Sequence, residues 1–196
     1  GCMHACGHDG HTAALLATAR YLKSIEHTLP GPITLIFQPA EEGGHGALRM
    51  IEDSALEGID EIYGWHNWPA IPEGQLVCPD GIVMCGNGTF EITVNGQGGH
   101  ASQPELCRDP VLAGSAMVQA LQQVVARRLA PQQTAVLSVT SFNAPSGPTV
   151  IPQQAVLGGS IRVPNSTTRE QINALIVEVV ENTAHAYGVS AEVTIE

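Results

Sequence analysis

Basic side chains are scarce in this sequence: eight Lys and Arg stand against nineteen Asp and Glu, a formal charge of −11. Nucleic acids and anionic membranes are bound by basic groups that displace counterions, so neither is an expected partner. Long apolar runs are also missing. Although 43% of the residues are apolar, no uninterrupted stretch approaches the roughly 20 residues needed to cross a bilayer. There is no charged start followed by an apolar stretch and a small-residue cleavage site, so no secretory signal is read. The five cysteines are odd in number, which argues against a disulfide framework and for reduced thiols in a cytoplasmic protein. Repeats and low-complexity tracts are absent. What remains is a chain of 196 residues, enough for one or two domains with a real core and suited to small molecules.

The spacing of apolar residues predicts a helix over 12–25 and a short strand over 33–37. The strand is bounded by Pro32 and Pro39 and apolar enough to be buried in a parallel sheet. A short helix follows in "GHGALRMIED", then a second strand over 61–65. Strands alternating with helices point to a parallel sheet. The texture changes near residue 86, where a domain boundary is placed between 1–86 and 87–196. "GTFEITVNG" alternates apolar and polar residues, as an antiparallel strand with one wet face does. A helix over 110–129 opens with Pro110, which suits a first turn. "TAVLSVTSFN" and "QAVLGGSIRVP" read as strands, and a further helix stops at Gly188 before a last strand, "SAEVTIE". The order strand, helix, strand, strand, helix, strand is the ferredoxin-like, split βαβ pattern. The first segment offers only about two strands and two helices, thin cover for an α/β sheet. The sequence is therefore expected to begin and end inside something larger.

Three stretches carry chemistry. "CMHACGHDGHT", residues 2–12, concentrates two cysteines, three histidines and an aspartate. The one-residue gap between Cys6 and His8 lets thiolate and imidazole reach one point, a pairing that suits zinc and other borderline metals. A buried thiol beside a turn histidine is the alternative. Cys2 and Cys6 are too far apart for a zinc knuckle, and His4 and His11 stay open as groups supporting the ligands, surface residues or helix-entry residues. In "FQPAEEGG", Glu41 and Glu42 follow a predicted strand, where open α/β sheets build their sites. One carboxylate can bind a cation while the other serves as general base; the alternative is a solvated acidic pair at a helix start. "YGWHNWP" places His66 directly after the second predicted strand, as a ligand or as a polar loop tip. All three stretches lie where a parallel sheet gathers its loops along one edge. A metal cluster of Cys6, His8, Glu42 and His66 is thus more credible than any single member.

Together, "MHACGHDGHTA", "FQPAEEGG", "GWHNWP" and "GQGGHASQP" resemble the metallo-aminoacylase and carboxypeptidase superfamily, in its hippurate hydrolase and N-acyl-amino-acid amidohydrolase branch. The resemblance implies part of a parallel-sheet catalytic domain followed by a ferredoxin-like satellite domain through which two copies form a homodimer. It implies metal-dependent removal of the acyl group from a small N-acyl amino acid. Cys6, His8, Glu42 and His66 become metal ligands, Cys6 the bridge between two divalent ions (Zn, Mn, Co or Ni), and Glu41 the base that activates water. His100 of "GGHAS" becomes the group that polarises the scissile carbonyl, often across a dimer, and Arg162 of "GGSIR" the residue that grips a substrate carboxylate. Surface roles are the alternatives for both. Relatives often have Asn where Thr149 stands and a small residue where His45 stands. The family also has a block before the cysteine motif and a C-terminal segment with a further metal-binding His, so this chain is expected to be the middle of a longer enzyme, with an incomplete site and poor turnover alone. A non-catalytic self-associating fragment and a simple metal-binding or thiol module around Cys2, Cys6 and His8 are the competing readings.

Overall fold

The computed structural model describes residues 2, 3 and 5–196; His4, left open above, lies outside them. The chain divides into two compact units, Gly1–Val77 and Cys78–Glu196.

In the first unit, helix α1 runs from His8 to Ser24. It begins four residues before the start expected from apolar spacing. Gly7, at φ 82°, caps it in the left-handed region, and the Gly7 carbonyl accepts the His11 N–H at 3.1 Å. That reversal draws the polar "HDGH" stretch into the first turn, where apolar periodicity leaves no trace. A 3-10 turn, Glu26–Thr28, follows α1, and helix α2 spans Gly46–Glu52. Gly46 is the one buried residue of this unit among the described residues. A Cβ there would lie 1.7 Å from the Pro39 carbonyl oxygen, so only glycine lets the loop bearing Glu41 and Glu42 fold back on its own start.

The parallel sheet expected in this unit is not seen: among the described residues, neither 33–37 nor 61–65 forms a strand. A strand exists through its ladder with a neighbour, and a parallel strand is covered on both faces. These segments have no ladder, and Ile33 and Phe37 are 49% and 48% exposed.

The second unit is built on a four-stranded sheet with the order β3-β5-β1-β6. Its strands are β1 (Gly86–Asn95), β3 (Val136–Asn143), β5 (Gln154–Val163) and β6 (Ser190–Ile195), and every neighbouring pair is antiparallel. Between them run β2 (Gly99–His100), β4 (Val150–Ile151), α3 (Pro110–Arg128) and α4 (Ser166–Tyr187). Alternation decides which face is inward. Phe90, Ile92 and Val94 of β1, with Ala155, Leu157, Ile161 and Val163 of β5, are buried under Met117, Leu121 and Val124 of α3 and Ile172, Ile176 and Val180 of α4. The starts of α3 and α4 are each capped by the side chain of the preceding residue. Asp109 Oδ1 accepts the N–H groups of Val111 and Leu112, and Asn165 Oδ1 accepts that of Thr168.

Phe90 sits directly opposite Gly159 in the β1–β5 register. A Cβ at Gly159 would fall 2.0 Å from the Phe90 ring and 2.6 Å from the Ser138 carbonyl oxygen. The ring is buried and the oxygen is backbone, so neither gives way cheaply. Gly159→Ala is expected to destabilise the protein by about 1–3 kcal/mol, the usual cost of overpacking a core; urea denaturation measures it, and an unchanged midpoint would refute it.

Candidate functional site

The three motif stretches converge in the first unit. Ligand atoms of Cys6, His8 and His66 lie within 4.8 Å of one another, and so do those of His8, Glu41 and Glu42. His8 is common to both groups. It is placed by Gly7 at the first position of α1, and its Nε2 stands 3.5 Å from Glu41 Oε2 and 3.5 Å from Glu42 Oε1. Cys6 Sγ is 3.4 Å from His66 Nε2.

Hydrogen bonding settles which nitrogen His66 presents. Its Nδ1 lies 2.6 Å from the Asn67 carbonyl oxygen. A carbonyl only accepts, so Nδ1 carries a proton, and in the neutral ring Nε2 keeps its lone pair toward Cys6. His11 packs beside this pair, its ring 4.4 Å from that of His66 and edge-on to Trp65. Its Nε2 accepts the Asn67 N–H at 3.0 Å. Desolvation first, then the His66 and His8 rings, hold the His11 pKa below the ordinary imidazole value, against the smaller opposing pull of Asp9 and Glu41.

The Cys6 thiol is pushed above its ordinary range. Desolvation is the largest cause; Glu42 follows, by its charge and as a hydrogen-bond partner, and Glu41 comes last. Of the two carboxylates, Glu42 therefore acts more strongly on Cys6. Among the described residues, the side chain that approaches both carboxylates is the His8 imidazole, not a lysine or arginine. A thiol, two imidazoles and two carboxylates form a donor set that a divalent cation fits: sulfur and nitrogen on one side, oxygen on the other.

His100 and Arg162 belong to the second unit. His100 stands on β2, paired with Val150 of β4. The adjoining Ala101 N–H donates to the Thr149 carbonyl at 2.8 Å. His100 Nδ1 is held by Ser102, whose N–H lies 3.2 Å and whose Oγ lies 2.8 Å away. An N–H only donates, so Nδ1 accepts and the proton of the neutral ring is on Nε2. Arg162 is exposed on β5, its Nη1 donating to Ser160 Oγ at 2.8 Å and to the Ile161 carbonyl at 2.9 Å. His45, at φ 51°, caps α2 in the left-handed region, where glycine is the usual occupant.

Asn67 and Ser102 were not singled out by sequence. Each stands one or two residues beyond a chemically marked histidine, and that adjacency was the available signal. Their roles depend on ring orientation, which spacing does not encode.

Residues 1–191 match peptidase family M20/M25/M40. The chain is 42% identical over 193 residues to N-acetyl-L-cysteine deacetylase of Bacillus subtilis, covering 98% of this chain and 46% of that protein. It is 39% identical over 193 residues to hippurate hydrolase of Campylobacter jejuni, covering 97% of this chain and 50% of that one. A solved Bacillus subtilis structure, described as a dinuclear metal-binding peptidase of the M20 family, superposes with a TM-score of 0.79 at 34% identity, over 98% of this chain and 48% of that chain. The chain thus spans about half the length of the curated relatives it matches. Because the match runs through all but the last five of its 196 residues, the chain belongs to peptidase family M20/M25/M40.

Proposed function

We propose that the whole protein is a metal-dependent amidohydrolase that removes the acyl group from N-acyl amino acids. The observation that carries this reading is the pair of donor groups that share His8. Cys6, His8, Glu42 and His66 would hold divalent metal, and Glu41 is the proposed base.

An amide resists water, so its hydrolysis needs a strong nucleophile and an acid for the departing amine. A bound divalent ion lowers the pKa of water toward about 7 and polarises a carbonyl oxygen. Glu41 takes the proton of the attacking water and hands it to the leaving nitrogen. His100, protonated on Nε2, donates to the oxygen on which negative charge develops. The remaining guanidinium donors of Arg162 are suited to a bidentate grip on the substrate's carboxylate. The similar proteins are named for N-acetyl-L-cysteine and hippurate. Both compounds contain an amide between an acyl group and an amino acid, which supports this substrate class and leaves a range from acetyl to benzoyl. A homodimer through the second unit, whose sheet ends on edge strands β3 and β6, belongs to the same proposal.

Metal removal tests it. The whole protein, treated with a chelator, is expected to lose hydrolysis of a panel of N-acetyl and N-benzoyl amino acids and to regain it with Zn, Mn, Co or Ni. Turnover that survives complete loss of metal would count decisively against the reading.

A further inference from the structure

Among the described residues, His11 is the histidine of the first motif that the proposed chemistry leaves unused. It stands three residues after His8 in the first turn of α1, and its ring lies 5.5 Å from that of His8. What it grips is backbone. The Asn67 N–H, part of the peptide joining His66 to Asn67, donates to His11 Nε2 at 3.0 Å. The carbonyl of the same residue accepts His66 Nδ1–H at 2.6 Å. Two imidazoles therefore hold Asn67 from its two ends. One of them is half-buried on a helix; the other is exposed on a loop without regular structure. The Asn67 side chain is also close to the first motif, since a Cβ at Gly7 would come within 3.3 Å of its Nδ2.

A loop histidine turns freely about its side-chain bonds unless something anchors the backbone that anchors it. Without the bond from His11, the peptide after His66 has no partner for its N–H among the described residues and can rotate. The Asn67 carbonyl would then leave Nδ1, and His66 could present either nitrogen. Groups that orient a ligand in this way typically change metal affinity about 10- to 100-fold when lost.

We infer that His11 is a positioning residue: by accepting the Asn67 N–H it fixes the loop whose carbonyl sets the His66 tautomer, so that Nε2 is the nitrogen facing Cys6. The inference rests on the metal-centre reading for its consequence in affinity, but not for the tautomer itself.

The test uses the whole protein with His11→Phe, which keeps a ring and loses the acceptor, and His11→Gln, which restores an acceptor oxygen. Nitrogen-15 spectra of His66 in metal-free protein are expected to show the Nδ1–H tautomer in the wild type and in His11→Gln, and a mixture in His11→Phe. Titration with Co(II) is expected to give affinity about 10- to 100-fold weaker in His11→Phe, largely recovered in His11→Gln. A single Nδ1–H tautomer in folded His11→Phe would overturn the inference. If His11→Phe fails to fold, His11→Ala is read by the same two measurements. Co(II) affinity unchanged by His66→Ala would instead sink the metal-centre reading, and the tautomer spectra would still decide the role of His11.

Discussion

Glu41→Gln is expected to lower kcat by about 10²- to 10⁴-fold, the usual contribution of a positioned general base, while metal content stays at the wild-type level. The substitution preserves shape and removes the proton acceptor. The distances to His8 do not separate the two carboxylates, because both stand 3.5 Å from Nε2. Cys6 does separate them: Glu42 raises its pKa by charge and hydrogen bonding, and Glu41 only by a smaller charge effect. That difference supports the proposed division, with Glu42 as a ligand and Glu41 as the base. The matched variant makes the comparison sharp. Glu42→Gln should lose metal first and activity as a consequence. Metal analysis beside steady-state kinetics reads both. Should Glu41→Gln lose metal while Glu42→Gln keeps it and loses only kcat, the two roles are exchanged.

The second large effect is expected from His8→Ala. His8 is the one residue common to the Cys6–His8–His66 and His8–Glu41–Glu42 groups. Its removal takes a donor from each, so metal affinity should fall by more than the ~100-fold upper range for residues that only orient ligands. It should also fall further than in Cys6→Ala or Glu42→Ala. The fold should survive: His8 is half-buried, and the turn that starts α1 depends on the Gly7 backbone rather than on the His8 side chain. Isothermal titration with Zn(II), together with circular dichroism, measures both parts. Metal binding in His8→Ala equal to that of the wild type would show that the convergence of donors at His8 has no role in holding an ion.

The same local rules that read the second unit well read the first poorly, for a physical reason. β1 announces itself because Phe90, Ile92 and Val94 alternate with polar neighbours, and one face of an antiparallel sheet is wet. Helix α3 announces itself through Pro110 and the spacing of Ala113, Met117, Leu121 and Val124. Residues 33–37 and 61–65 carry the composition of strands, yet composition supplies no ladder partner, and neither segment forms a strand here. The two-residue pairing of Gly99–His100 with Val150–Ile151 is too short to leave any period. The early start of α1 hides in a polar stretch behind a glycine.

The sequence by itself determined the chemistry on offer: a thiol and an imidazole one residue apart, adjacent carboxylates, a histidine among tryptophans, and an acidic chain with few basic groups. Tertiary structure alone decided which of these groups meet. Cys6 and His66 are sixty positions apart and their side chains come within 3.4 Å, while the neighbouring Asn67, unremarkable in sequence, sets the nitrogen that His66 shows. Spacing along a chain governs contacts within one turn of helix or one pleat of strand; contacts between distant loops, and the orientation of a ring within them, follow from packing and from hydrogen bonds whose partners lie far away in sequence.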